Sequence, residues 1–288
     1  MRYHFPVIID FHTHIFPAEI AADRTPYLDD ATFREIYASP RAQLATADDL
    51  LAAMDEAGVD ASVALGFAWG DAAMCARHND YLLATAAGSG GRIIPFCTVN
   101  PILPADDLAA EIERCAAGGA RGLGELRPDS QGWPLDGEAG ARLASLAAEH
   151  GLPLLFHVSE PVGHRYPGKA GGSLASFYTF AQGHPELTVI GAHLAGGLPF
   201  YAPMPEVREV FSHTYVDTAA ERLLYEHSVY ESISRYIGDE RILFGSDFPL
   251  VTQKRELAEL RGAVRDADAL TLILGGNAAR LLGIVNGE

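Results

Sequence analysis

The chain has 288 residues, 48% of them apolar, and 21 basic against 38 acidic side chains give a formal charge of −17. That apolar content can fill a large core and excludes an intrinsically disordered chain. The charge excludes nucleic acid and anionic membrane surfaces as partners in the absence of a local basic patch, and the sequence contains none.

The amino-terminal MRYHFPVIIDFHTH holds one Arg before a short apolar run that breaks into histidines, so it reads as a strand rather than a signal peptide. No apolar stretch approaches the roughly 20 residues of a membrane span. Cys75, Cys97 and Cys115 are odd in number, far apart and without CxxC spacing, which suits reduced thiols of a cytosolic protein. A cytoplasmic location and a small-molecule substrate are therefore expected, with a homodimer left open.

In chain order, eight short β-branched runs read as strands: Val7–Phe11, Val59–Gly66, Arg92–Val99, Arg121–Leu126, Leu152–His157, Leu187–His193, Thr214–Thr218 and Arg241–Ser246. Between them lie Ala/Leu/Glu-rich stretches with apolar residues at three and four spacing. Examples are Asp48–Ala57, Asp106–Ala117 with Leu108, Ile112 and Cys115, and Glu138–His150 with Leu143, Leu146 and Ala147. Gly58, Gly118-Gly119 and Gly151 close these helices. Strict alternation of strand and helix predicts a single-domain α/β fold over residues 1–288, a closed parallel (β/α)8 barrel. Residues 16–45 are longer than an ordinary strand–helix loop and hold Tyr27, Phe33 and Tyr37, which predicts a small lid or insertion after the first strand. Residues 160–180, after the fifth strand, are the richest in Gly and Pro.

His12-Thr13-His14 puts two imidazoles about 7 Å apart along one strand face, a spacing that can close on one ion where a strand twists. Asp10 shares their parity and is a candidate to orient a ligating imidazole. His157 ends LPLLF, His193 ends LTVIGA and Asp247 ends RILFG within RILFGSDFP. A titratable group closing a buried strand costs free energy unless it has a partner. Five such groups at the carboxyl ends of parallel strands lie where α/β barrels build their sites.

The segments DFHTH, LLAAMDEAGVD, FH at 156–157, HPELTVIGAHLAGG, YVDTAA, RILFGSDFP and GNAARLLGI resemble the amidohydrolase superfamily, in its amidohydrolase-related (family 2) branch, from Ile9 to Ile284. The resemblance implies one or two divalent metal ions, most often zinc and sometimes manganese or another transition ion. By it His12, His14, His157 and His193 are ligands, and Asp247 is both ligand and proton acceptor. Glu125, in ARGLGELRP, is similar to the fourth-strand glutamate of the TatD-like branch and would then bridge two metals. The other reading pairs it with Arg121 or Arg127 as structural support.

A divalent ion held by imidazoles and a carboxylate keeps positions open, lowers the pKa of bound water toward 7 and polarises a carbonyl or phosphoryl oxygen. The leading expectation is a metal-dependent hydrolase of an amide, lactone, ester or phosphate bond, with Asp247 as general base and His193 as a further catalytic group. The alternative is a metal-dependent non-oxidative decarboxylase of an aromatic or enol carboxylic acid. Arg127 shares the parity of Glu125 and is a candidate for a substrate anion, as are His164 and Lys169 in the loop after the fifth strand. Trp69 is a candidate to line the pocket or pack on the lid, and Asp217 to support the ligands or cap a helix. His184 precedes its strand and belongs at the other end of the barrel.

Overall fold

The computed structural model describes residues 2–3 and 7–286; His4 and the other terminal residues lie outside them. Eight parallel strands follow one another in chain order around the sheet: β1 (Ile9–His14), β2 (Ala61–Leu65), β3 (Ile93–Cys97), β4 (Gly122–Leu126), β5 (Leu154–Phe156), β6 (Val189–Gly191), β7 (Thr214–Asp217) and β8 (Ile242–Leu243). The ring closes because the segment after β8 returns to β1. Phe11 N–H donates to the Phe244 carbonyl at 2.7 Å, Asp247 N–H donates to the His12 carbonyl at 2.9 Å, and Thr13 bridges Phe248 in parallel. The fold is a (β/α)8 barrel.

Two apolar layers hold it. Ile9, Phe11, Val63, Leu65 and Phe96 on β1–β3 form one cluster with Leu155 and Ile190 on β5 and β6, across the ring from them, as a barrel interior allows. A larger cluster between strands and outer helices includes Leu108, Ile112, Cys115, Leu143 and Ala147, the residues whose spacing marked those helices. The helices are Ala47–Ala57, Ala105–Ala117 and Glu138–Glu149, each within a residue of expectation. Thr46 and Asp49 cap the first of them reciprocally, and Gly58 ends it at φ +72°, a left-handed position that glycine takes without a Cβ clash.

Residues 16–45 do form an insertion, with short helices Ala18–Ala22 and Ala31–Tyr37. Phe33 stacks on Trp69 at 4.8 Å and packs edge-on against Phe67, so Trp69 packs on the lid. Asp30 caps the second lid helix through Thr32 and Phe33 N–H, and its other oxygen accepts from Gly70 N–H at 2.9 Å. One carboxylate thus both starts the helix and ties it to the loop after β2.

Four strand boundaries differ from the pattern in ways that bear on the site. β1 runs on to His14, so both histidines lie within the strand. The fifth and sixth ladders end just before His157 and His193, which leave the sheet to enter the cavity. β8 has only two paired residues because the chain then passes against β1 at Gly245, where an added Cβ would stand 2.8 Å from that of His12.

Candidate metal centre

β1 carries a bulge: Asp10 pairs with Ser62 but Thr13 with Ala64, so three steps on β1 match two on β2. An extra residue reverses side-chain parity. Asp10 therefore parts from His12 and faces the outer helix Gln253–Ala263, where it accepts from Ser246 Oγ at 2.5 Å and Gln253 Nε2 at 2.8 Å. The expected contact between Asp10 and a ligating imidazole is not made. Asp217, at the end of β7, makes it instead: His12 Nδ1–H donates to Asp217 Oδ2 at 2.8 Å. With Nδ1 committed, His12 Nε2 presents a lone pair to the cavity, the arrangement that ligating histidines adopt. His193 is held in the same way, its Nδ1–H donating to the Ala219 carbonyl at 2.8 Å.

The fourth strand supplies the centre of the site. Glu125 is buried and aimed inward, and its two oxygens face different histidine pairs. Oε1 lies 2.8 Å from His157 Nδ1 and 3.4 Å from His193 Nε2. Oε2 lies 3.6 Å from His14 Nε2 and 4.0 Å from His12 Nε2. Those two nitrogens are 3.1 Å apart, as close as a hydrogen bond. Asp247 Oδ1 closes the first group at 3.6 Å from His12 Nε2 and 3.5 Å from His14 Nε2. The donor atoms fall into two clusters, His12–His14–Glu125 and Glu125–His157–His193, with the glutamate common to both. Arg121 bonds the Leu282 carbonyl and Arg127 turns to Glu35, so neither arginine is the partner of Glu125.

The electrostatics fit a cation. Burial works against a charge on His12, yet the neighbouring Asp217, Glu125 and Asp247 push it up to about 9. His193, equally buried, is pushed up to about 10 by Glu125, Asp247 and Asp217. Burial and the adjacent His12 drive His14 down to about 3, and burial drives His157 to about 4 against the pull of Glu125. Glu125 resists burial and is held well below the ordinary carboxylate range by its histidines, whereas burial raises Asp247 to about 6. Without metal, protons on two imidazoles supply the positive charge that the carboxylates demand. Inward imidazole nitrogens with carboxylate oxygens form a donor set suited to a divalent transition ion.

The centre floors a cavity of about 370 Å³. His164 from the fifth-strand loop is among its lining residues. Arg127 is not: it is buried, donates to the Gly168 carbonyl at 2.6 Å and lies 3.3 Å from Glu35 of the lid. Gly171 passes so close that an added Cβ would stand 2.5 Å from its Nε, so the glycine-rich loop seals the guanidinium away from the cavity. Lys169 also points elsewhere, donating to the carbonyls of Val162 and His164 and bracing its own loop. His184 pairs with Glu186 away from the centre. Tyr37 and Arg41 of the insertion, and Tyr166 beside His164, line the cavity without having been singled out for it. Loop length flagged their segments, but no local pattern aims a loop side chain.

The amidohydrolase family model matches residues 9–284. Among curated proteins none matches. The 5-carboxyvanillate decarboxylase LigW of Sphingomonas paucimobilis superposes with a TM-score of 0.76 at 20% identity, over 97% of this chain and 99% of its own. A dihydroxybenzoic acid decarboxylase of a Polaromonas species, solved with bound manganese and an inhibitor, gives 0.75 at 19%, over 96% and 97%. A putative amidohydrolase of Staphylococcus aureus gives 0.68 at 19%, over 96% and 99%. At these identities the likeness is one of fold.

Proposed function

The chain belongs to the amidohydrolase family, and on that premise we propose that it is a metal-dependent hydrolase of a small molecule with an amide, lactone, ester or phosphate bond. The observation that carries this reading is the position of Glu125 between two histidine pairs, with one oxygen toward each. His12, His14 and Asp247 would hold one divalent ion and His157 and His193 a second, with Glu125 shared. Such ions, when bound, supply Lewis acidity to the scissile group and lower the pKa of a water. The chain's own groups do the rest. Asp247, raised to about 6, takes the proton of the attacking water and returns it to the leaving group. Asp217 and the Ala219 carbonyl fix the His12 and His193 imidazoles so that these two need not reorient. Tyr37 and His164 offer polar contacts to the substrate from the cavity wall.

The second reading is a metal-dependent non-oxidative decarboxylase of an aromatic or enol carboxylic acid. The solved neighbours favour it over hydrolysis, since several are decarboxylases of hydroxylated aromatic acids and one carries manganese. In that reading Asp247 delivers a proton to carbon. What keeps hydrolysis first is Glu125, because a single-ion site has no need of a carboxylate between two histidine pairs. Zinc or manganese is the proposed ion. The test runs metal-loaded enzyme on pooled lactones, esters, amides and aromatic acids in ¹⁸O-labelled water. Hydrolysis puts the label in the product; stoichiometric carbon dioxide with a solvent proton on carbon and no label establishes the lyase instead.

A further inference from the structure

Three imidazoles of the centre are each held at the ring nitrogen turned away from it, but not by the same kind of group. His12 and His193 donate from Nδ1 to the Asp217 carboxylate and the Ala219 carbonyl, both at 2.8 Å. Neither partner can donate, so the proton stays on Nδ1 and Nε2 is the nitrogen left for a ligand bond. His157 is mounted the other way round. Its Nδ1 faces the centre, 2.8 Å from Glu125 Oε1 and 3.2 Å from His193 Nε2, and its Nε2 meets the Ser159 hydroxyl at 3.0 Å. Ser159 is buried and its backbone is fixed: its N–H donates to the Gly172 carbonyl at 2.9 Å, and it bridges Ser173 in parallel. Gly172 makes that pairing possible, since an added Cβ would overlap the His157 carbonyl oxygen. The hydroxyl is thus placed by backbone pairing between the two ends of the glycine-rich loop.

We propose that Ser159 is a positioning residue that lets His157 exchange its ring proton between the two nitrogens as an ion enters, a freedom that His12 and His193 lack. The inference rests on the reading of His157 as a ligand. A hydroxyl can accept or donate, so it satisfies Nε2 in either tautomer. In the ion-free protein the proton sits on Nδ1, where Glu125 Oε1 accepts it, and the Ser159 O–H donates to Nε2. A ligating nitrogen must be unprotonated. Nδ1 therefore gives up its proton, Nε2 takes one up and donates it to Ser159 Oγ, and the hydroxyl hydrogen turns to the phenol of Tyr166, its other side-chain partner. Tyr166 in turn donates to Glu160 Oε2 at 3.0 Å. The imidazole is neutral before and after, no heavy atom need move, and Nε2 is never left buried without a partner. A carboxylate or carbonyl in place of the hydroxyl would hold the proton on Nε2 in both states. Nδ1 and Glu125 Oε1 would then face each other as two lone pairs at 2.8 Å in the ion-free protein.

The test uses full-length protein labelled with ¹⁵N at histidine, with zinc as a diamagnetic probe. Long-range ¹H–¹⁵N spectra show which ring nitrogen of each histidine is protonated, and the signals lost in His157→Asn assign that residue. His157 is expected to carry its proton on Nδ1 in chelator-treated protein and on Nε2 in zinc-loaded protein, while His12 and His193 keep Nδ1 protonated in both. Ser159→Ala should weaken zinc at the His157 position about 10–100-fold, the range for outer partners of ligating histidines, read by competition with a chromophoric chelator. Ser159→Thr keeps the hydroxyl and should restore most of that affinity. If Ser159→Ala does not fold, the wild-type spectra and Ser159→Thr still decide the matter. His157 protonated at the same nitrogen in both states, or Ser159→Ala binding zinc as tightly as wild type, overturns the inference and leaves the metal centre in place. Zinc that shifts no histidine signal overturns the reading of the centre itself, and this inference with it.

Discussion

Asp217→Asn is the most informative single substitution, because one buried carboxylate holds two of the proposed ligands, His12 and His193. Asp217 Oδ1 accepts from His193 N–H at 2.9 Å and Ala219 N–H at 3.1 Å, and Oδ2 accepts from His12 Nδ1–H at 2.8 Å. An asparagine must keep its oxygen toward the two backbone donors and turn its NH₂ toward His12. His12 then has to accept at Nδ1, and the ring proton moves to Nε2, the atom that faces the centre. The ligand lone pair is lost, or a buried hydrogen bond breaks. Outer partners of metal-bound histidines contribute about 10–100-fold in metal affinity, and a charged buried hydrogen bond about 1.5–3 kcal/mol. The expected outcome is a 10–100-fold weaker first metal, measured by competition with a chromophoric chelator, with a native circular dichroism spectrum. His12→Asn should be at least as weak, and the double variant no weaker than His12→Asn alone. An Asp217→Asn protein that binds metal as tightly as wild type would refute the claim that this carboxylate sets the His12 tautomer.

Glu125→Gln should lower metal stoichiometry from two ions per chain to one, read by mass spectrometry of protein dialysed against metal. Asp247→Asn should cut kcat by about 10²-fold or more with the metal retained; unchanged turnover would remove Asp247 from proton transfer. Phe33→Ala removes a buried ring stacked on Trp69 and should cost about 3–5 kcal/mol in denaturant unfolding. Burial raises the folded pKa values of Glu221 and Glu256 above their unfolded ones, to about 7 and about 8. The folded state therefore holds the extra protons, and the stability they contribute is complete below about pH 4.5 and lost as pH rises through 7 to 8. Tm should fall across that interval, and the fall should flatten in a Glu221→Gln, Glu256→Gln double variant; an unchanged slope in that variant would sever the two carboxyls from the effect.

The barrel and most of its site were legible in the sequence because both rest on periodic burial. Each strand ends an apolar run, and His157, His193 and Asp247 stood out as polar groups where burial should continue. Parity reasoning worked for Glu125, which shares the inward face of a regular strand. It failed for Asp10 because a bulge is a matter of register between two strands, and register is invisible in one of them. It failed for Arg127 because the residue follows β4, where alternation stops and the glycine-rich loop determines what is covered. Asp217 was visible as a polar strand end, but which imidazole it serves depends on contacts across 205 positions of sequence.

The backbone at two of the proposed ligands shows how the site is held rigid. His193, Leu194 and Ala195 have φ of 56°, 55° and 49°, Gly196 and Gly197 continue at 60° and 89°, and Asp247 stands at 63°. Left-handed conformations cost non-glycine residues on the order of 1–3 kcal/mol each, and they persist only where the surroundings fix them. At His193 that fixing comes from Asp217, whose Oδ1 accepts the His193 N–H while its Oδ2 holds the His12 ring. At Asp247 it comes from the N–H bond to the His12 carbonyl. Three proposed ligands, from the first, sixth and eighth strands, are thus locked to one another by the protein itself. His157 is held by Glu125 at Nδ1 and by the Ser159 hydroxyl at Nε2, with no backbone lock of the kind found at His193 and Asp247, so the His157 side of the centre depends more on its ion. If the centre takes two ions as proposed, they should load with unequal affinity, the His12–His14–Asp247 position filling first, which a metal titration followed by calorimetry would show as two separate steps.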